Sequence, residues 1–119
     1  MIVQNDSIQQ LTTQVCAFRD ARHWEQFHSP KDLAVAITAE AGELLQHFVW
    51  QSPEQSRTRM HERKEEIASE MADIAILLFE MADASGISLG EAMAKKLALN
   101  EERYPVDKAR GSNRKYNEL

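Results

Sequence analysis

Cysteine is nearly missing from this chain: one residue, Cys16, in 119. A lone thiol excludes an internal disulfide framework and fits a reducing compartment. Turn formers are also scarce, with 4 Gly and 3 Pro. That is too few for an all-β fold built on many tight hairpins. Long hydrophobic runs are lacking too. The longest, Ile74–Phe79, is six residues, against the about 20 that span a bilayer. The N-terminal stretch MIVQNDSIQQ has neither the charged nor the apolar block of a signal peptide. The expectation is a cytoplasmic protein with no membrane partner. Positive charge is in deficit, 14 Lys and Arg against 19 Asp and Glu, for a formal net charge of −5. Such a balance gives no general attraction to a phosphate backbone, so no nucleic acid polymer is expected as a partner. A small anion such as a nucleotide remains compatible, provided a cation bridges the charges.

What is present points to helices. Hydrophobic residues make up 43% of the chain and charged residues 28%, within reach of one modest core. Ser7-x-x-Gln10 reads as a capping box ahead of an apolar stripe at Ile8, Leu11, Val15 and Phe18, which predicts a helix over about 7–21. Ser29-Pro30 places a cap and a first-turn proline for a second helix running to about Trp50. Ser52-Pro53 repeats the signal inside a polar connection, 51–63, that has room for a short helix. A third long helix follows, starting between His61 and Lys64 and stopped by Ser85-Gly86. Ser88-x-x-Glu91 opens a last helix that Pro105 terminates. No stretch alternates with period two for long enough to make a strand. The predicted architecture is all-α, a four-helix arrangement in a single domain over 1–119, with a basic, extended or weakly ordered tail at about 106–119. On the third helix Ile74–Phe79 cover the whole circumference. A helix apolar all round must be buried on every side, which three neighbours in so short a chain barely achieve. A homo-oligomer, dimer or tetramer, is therefore expected.

Carboxylates interrupt two of the apolar stripes. Leu33, Ile37, Glu40 and Leu44 fall in line on the second helix, with Glu43 one turn after Glu40. Ile67, Glu70, Ile74, Leu77 and Met81 fall in line on the third, with Asp73 one turn after Glu70. A hairpin that brings the two pairs together turns near residue 56, inside the polar connection. By contrast Glu62 and Glu65, in the run HERKEE, read as a solvated face. Four carboxylates gathered in a core cannot all remain ionised without a cation. An all-oxygen donor set selects a hard one, Mg²⁺ or also Mn²⁺. A di-iron carboxylate bundle needs two E-x-x-H motifs on separate helices. This chain has one, Glu25 to His28, in loop.

E-x-x-E followed after 26 residues by E-x-x-D resembles the metal motif of the MazG-like nucleotide pyrophosphohydrolases. The segments FRDARHWEQFHSPKDLAVAITAEAGELLQHFVW, EEIASEMADI and KLALNEERYPVDKARGSNRKYNEL are similar to the dCTP pyrophosphatase branch, so the likeness covers most of 15–119. The resemblance implies an all-α, oligomeric enzyme with sites fed by more than one subunit. It would cleave a nucleoside triphosphate between the α and β phosphates. It implies Glu40, Glu43, Glu70 and Asp73 as Mg²⁺ ligands, Trp24, His28 and Trp50 at the nucleoside pocket, and Lys96, Asn100 and Arg103 at the phosphates. Lys95 and Lys96 point about 100° apart, and Lys96 shares its stripe with Asn100. Glu43 is the carboxylate assigned to take the proton from the attacking water. Val15 and Leu77 stand where that branch has a His and a Tyr, which removes two polar handles for the base. dUTP or a broad set of nucleotides is thus an alternative substrate. A non-catalytic helical module, with the acids paired to Lys64, Lys95 or Lys96, is an alternative from another class.

Overall fold

The structure, a computed structural model, describes residues 7–119. Residues 1–6, and with them most of the stretch read above for a signal peptide, lie outside the described residues. Among the described residues there are α-helices and 3₁₀ turns and no strand, and no helix is long and apolar enough to cross a membrane. Six α-helices are present among the described residues rather than four.

The caps set the boundaries. α1 (Ile8–Ala21) starts where the Ser7 side chain accepts from the Gln10 backbone N–H at 3.1 Å. α2 (Pro30–Gln46) starts on a reciprocal Ser29/Asp32 box, and α3 (Pro53–Glu62) on a reciprocal Ser52/Gln55 box. α3 is the fifth helix, absent from the four-helix count: the second Ser-Pro signal makes the connection helical. α4 (Lys64–Ala84) follows a break at Arg63 and ends where Gly86 adopts a φ of +67°. There Gly86 N donates to Asp83 O at 3.1 Å and Ile87 N to Ala82 O at 2.8 Å, closing the last carbonyls as in a Schellman motif. α5 (Leu89–Arg103) is capped by Ser88 and stops before Pro105. A four-residue α6 (Val106–Ala109) makes the sixth.

α2 ends at Gln46 rather than at Trp50. Ser52 must be extended (φ −71°, ψ 162°) to cap α3, so the chain breaks just before it, and Trp50 takes the left-handed conformation at φ +64°.

The chain forms two compact units, the first ending at Ile87 and the second spanning Ser88–Leu119. In the first unit α4 is the hub, and α2, α1 and α3 pack on it. His28, ahead of α2, meets Glu80 late in α4, while Glu40 further along α2 meets Glu70 earlier in α4. The two helices are therefore antiparallel, as the paired carboxylates require. The fully buried core is small: Leu33 and Ile67, joined by Cys16 and Ala82. Burial, then a hydrogen bond to Asp83, pushes the Cys16 thiol up to about 11, so it packs as a small neutral side chain. Ile76, Leu78, Met71 and Phe18 remain exposed.

In the second unit the tail is more ordered than expected. Beyond α6, residues Tyr116–Glu118 form a 3₁₀ turn. The Tyr116 ring meets Tyr104 edge-on at 6.0 Å, and the Arg103 guanidinium lies 4.5 Å from its centroid. These aromatic contacts fold the basic segment back onto the end of α5.

Candidate active site

Antiparallel α2 and α4 bring Glu40, Glu43 and Glu70 together, with one carboxylate oxygen of each lying within 4.8 Å of the others. Asp73 is not in that closest set, but its charge reaches both Glu40 and Glu70. Glu40 and Glu70 are half-buried, whereas Glu43 and Asp73 face solvent. A hydrogen bond to the Glu43 carboxyl, then burial and the charges of Glu43, Asp73 and Glu70, hold the Glu40 carboxyl above the ordinary carboxylate range. Burial raises Glu70 first, followed by a hydrogen bond to Glu43 and the charges of Glu43 and Asp73. The charge of His47 opposes the rise. His47 had no role in the sequence reading, because nothing local places it beside a helix 23 residues further on.

Two buried oxygens of the cluster, Glu40 Oε2 and Glu70 Oε2, have no hydrogen-bond partner. Buried polar atoms are almost always paired. A pair of orphaned carboxylate oxygens, backed by two solvent-facing carboxylates, offers the kind of donor set that a hard divalent cation takes. No Lys or Arg closes the cluster among the described residues. The ion pairs there join Arg19 to Asp20, Glu80 and Asp83, His28 to Glu80, and Arg63 to Glu66.

Trp24 heads the short turn Glu25–Phe27 between α1 and α2. Its ring is edge-on to Phe18 at 5.8 Å and 6.4 Å from the His28 ring. His28 Nδ1 pairs with Glu80 Oε1 at 2.5 Å. Glu80 is buried on α4, and Arg19 Nε lies 3.8 Å from the same oxygen. Neither Glu80 nor Arg19 was anticipated. The signal available was an acid placed one turn after Leu77, directly after the apolar run.

Trp50 is 98% exposed, beside an open cleft of about 560 Å³ lined by Val49, Gln51, Gln55, Thr58 and Arg59. With its side-chain amide turned so that the oxygen faces Arg59, Gln51 accepts from Arg59 Nε at 3.0 Å and Nη2 at 3.2 Å. Val15 lines an apolar groove with Leu11, Gln14, Phe18 and Ile76. In the second unit Lys96 and Asn100 are one turn apart on the same face of α5, Lys96 exposed and Asn100 half-buried. Arg103, half-buried at the end of α5, sets its guanidinium over the Tyr116 ring.

The sequence profile of the MazG-like family matches residues 35–119. The chain belongs to that family. It is 36% identical over 116 residues to dCTP pyrophosphatase 1 of Rattus norvegicus, a match covering 96% of this chain and 66% of that protein. The human protein of the same name is 35% identical over the same extent. The chain thus spans 66% of the length of these relatives. A solved pyrophosphatase from Archaeoglobus fulgidus superposes with a TM-score of 0.79 at 35% identity, covering 88% of this chain and 98% of that one. The carboxylate cluster draws Glu40, Glu43 and Glu70 from inside the segment the MazG-like profile matches.

Proposed function

We propose that this MazG-like chain is a Mg²⁺-dependent nucleoside triphosphate pyrophosphohydrolase. It converts a (d)NTP to the monophosphate and pyrophosphate, with dCTP or a modified dCTP as preferred substrate. The observation that carries the reading is the cluster of Glu40, Glu43 and Glu70, with two buried oxygens lacking any partner. The names of the relatives support the reaction class and the choice of dCTP. The rival in which these acids are structural ion-pair partners has no support in the first unit, where Lys64 makes no ion pair with them among the described residues.

The division of labour follows from chemistry and exposure. Glu40, Glu43, Glu70 and Asp73 would hold the cation, which supplies charge neutralisation for the triphosphate. Glu43, which faces solvent, is the carboxylate assigned to accept the proton of the attacking water. Trp24, His28 and Trp50 take the nucleoside, where stacking on an aromatic face contributes about 1–3 kcal/mol per base. Lys96, Asn100 and Arg103 take the β and γ phosphates. Val15 and Leu77 present hydrocarbon to the base, so selectivity rests on shape more than on hydrogen bonds. Residues 1–119 are read as a single MazG-like domain, and a second copy of the chain covers the exposed apolar face of α4 and completes the pocket.

Release of pyrophosphate from a panel of dNTPs, NTPs and 5-modified dCTP, with Mg²⁺ and with EDTA, tests the reading. Turnover only with the metal, strongest on a cytosine nucleotide, is expected. Equal turnover across bases moves the substrate to dUTP or to a broad set. No turnover on any nucleotide returns the chain to the non-catalytic class.

A further inference from the structure

Glu80 is the one charged side chain among the described residues in the buried class, at 3% exposure. It sits on a helix whose neighbouring positions are Ile76, Leu77 and Phe79. A carboxylate there is strongly unfavourable unless paired. Its partners come from the two ends of one loop. Arg19, at the end of α1, places Nε 3.8 Å from Glu80 Oε1, and its carbonyl accepts the Trp24 backbone N–H at 3.2 Å. His28, at the entry to α2, pairs with the same Glu80 oxygen through Nδ1, and its ring lies 6.4 Å from that of Trp24. Both flanks of Trp24 are therefore tethered to a single buried carboxylate. Glu80 is two helical turns beyond Asp73 on α4, so the helix that carries Glu70 and Asp73 also carries this anchor.

We infer that Glu80 is a positioning residue for the nucleobase wall: it touches no substrate, and through His28 and Arg19 it fixes where Trp24 stands relative to α4. The inference rests on the proposed function for what the wall binds. A carboxylate accepting at Nδ1 also holds a proton on that nitrogen of the His28 ring.

Three variants separate positioning from bulk stability. Glu80→Gln keeps the shape and an acceptor oxygen. Glu80→Leu keeps the size and removes the acceptor. His28→Phe keeps a ring and removes the donor. Imidazole ¹⁵N spectra should show the Nδ1–H form in the native chain and its loss in Glu80→Leu. In a Trp50→Phe background, where Trp24 is the sole tryptophan, acrylamide quenching of tryptophan emission should rise about twofold in Glu80→Leu and His28→Phe. In the Trp50-containing protein both should raise the KM for the nucleotide about tenfold with kcat within about threefold, and Glu80→Gln should restore most of it. A native His28 ring without a proton on Nδ1, or quenching and KM unchanged in Glu80→Leu, would overturn the inference. If Glu80→Leu does not fold, Trp24 quenching in nucleotide-free His28→Phe decides it from the other side of the bond. If the native chain turns over no nucleotide, the proposed function fails, while the Nδ1 proton and quenching still decide the positioning.

Discussion

Glu40 and Glu70 are held protonated more strongly in the folded chain than in the unfolded one. Their folded pKa values stand above the ordinary 4.5, so without a cation the cluster lowers stability as pH rises through and beyond that value. Glu40→Gln should therefore raise the melting temperature of metal-free protein at pH 7 and flatten its decline between pH 4.5 and 7. The same variant should lose the Mg²⁺-induced rise, which is about 2.7 kcal/mol at 100 times Kd, and lose turnover by about 100-fold or more. Melts with EDTA and with Mg²⁺, beside the assay, check all three effects. Asp32 works with the opposite sign. Its hydrogen bonds from Ser29 hold it below the ordinary range, so its contribution is present at neutral pH and lost as pH falls through its folded pKa. Trp50 offers a third residue-scale test. Its left-handed backbone at φ +64° costs an L-residue about 1–2 kcal/mol, and its ring makes little contact within the chain. Trp50→Gly should stabilise the fold by about 1 kcal/mol, read by urea denaturation. It should also raise nucleotide KM about tenfold, the loss of one stacked base.

Helix starts and stops are governed by neighbours a few residues away, and those were legible. Ser7, Ser29, Ser52, Ser88 and Gly86 each cap where the sequence places them. Ser29→Ala removes one side of a reciprocal box and should cost about 1 kcal/mol of stability, measured as a shift in the urea midpoint with an unchanged m-value. The pairing of Glu40 with Glu70 was also readable, because two acidic pairs inside apolar stripes specify an antiparallel register. The end of α2 was not. Its stop at Gln46 is imposed from downstream by the extended Ser52 that caps α3. The bond from His28 to Glu80 spans 52 residues, and no local pattern encodes a partner that far away. On the sequence alone Glu80 is one more acid on a helix. Only the packing of α1 and α2 on α4 turns it into the anchor of the Trp24 loop.

At the scale of the whole molecule, the proposed second copy answers an apolar surface left open to solvent. Among the described residues Leu33 and Ile67 are the largest fully buried side chains, while Ile76, Leu78, Met71 and Phe18 are exposed. Apolar patches of this kind mark association surfaces. Light scattering at low micromolar concentration should give two or four times the 13.6 kDa chain mass, and Ile76→Asp should shift the population towards 13.6 kDa. A native monomer would remove the second copy from the proposed pocket. The reaction assigned to the assembled site is water attack at the α phosphorus, with pyrophosphate leaving as one unit. Turnover in ¹⁸O-labelled water reads the attack site directly. Label in the nucleoside monophosphate, with unlabelled pyrophosphate, is the predicted result; label in pyrophosphate or orthophosphate, or a nucleoside diphosphate intermediate, would contradict it.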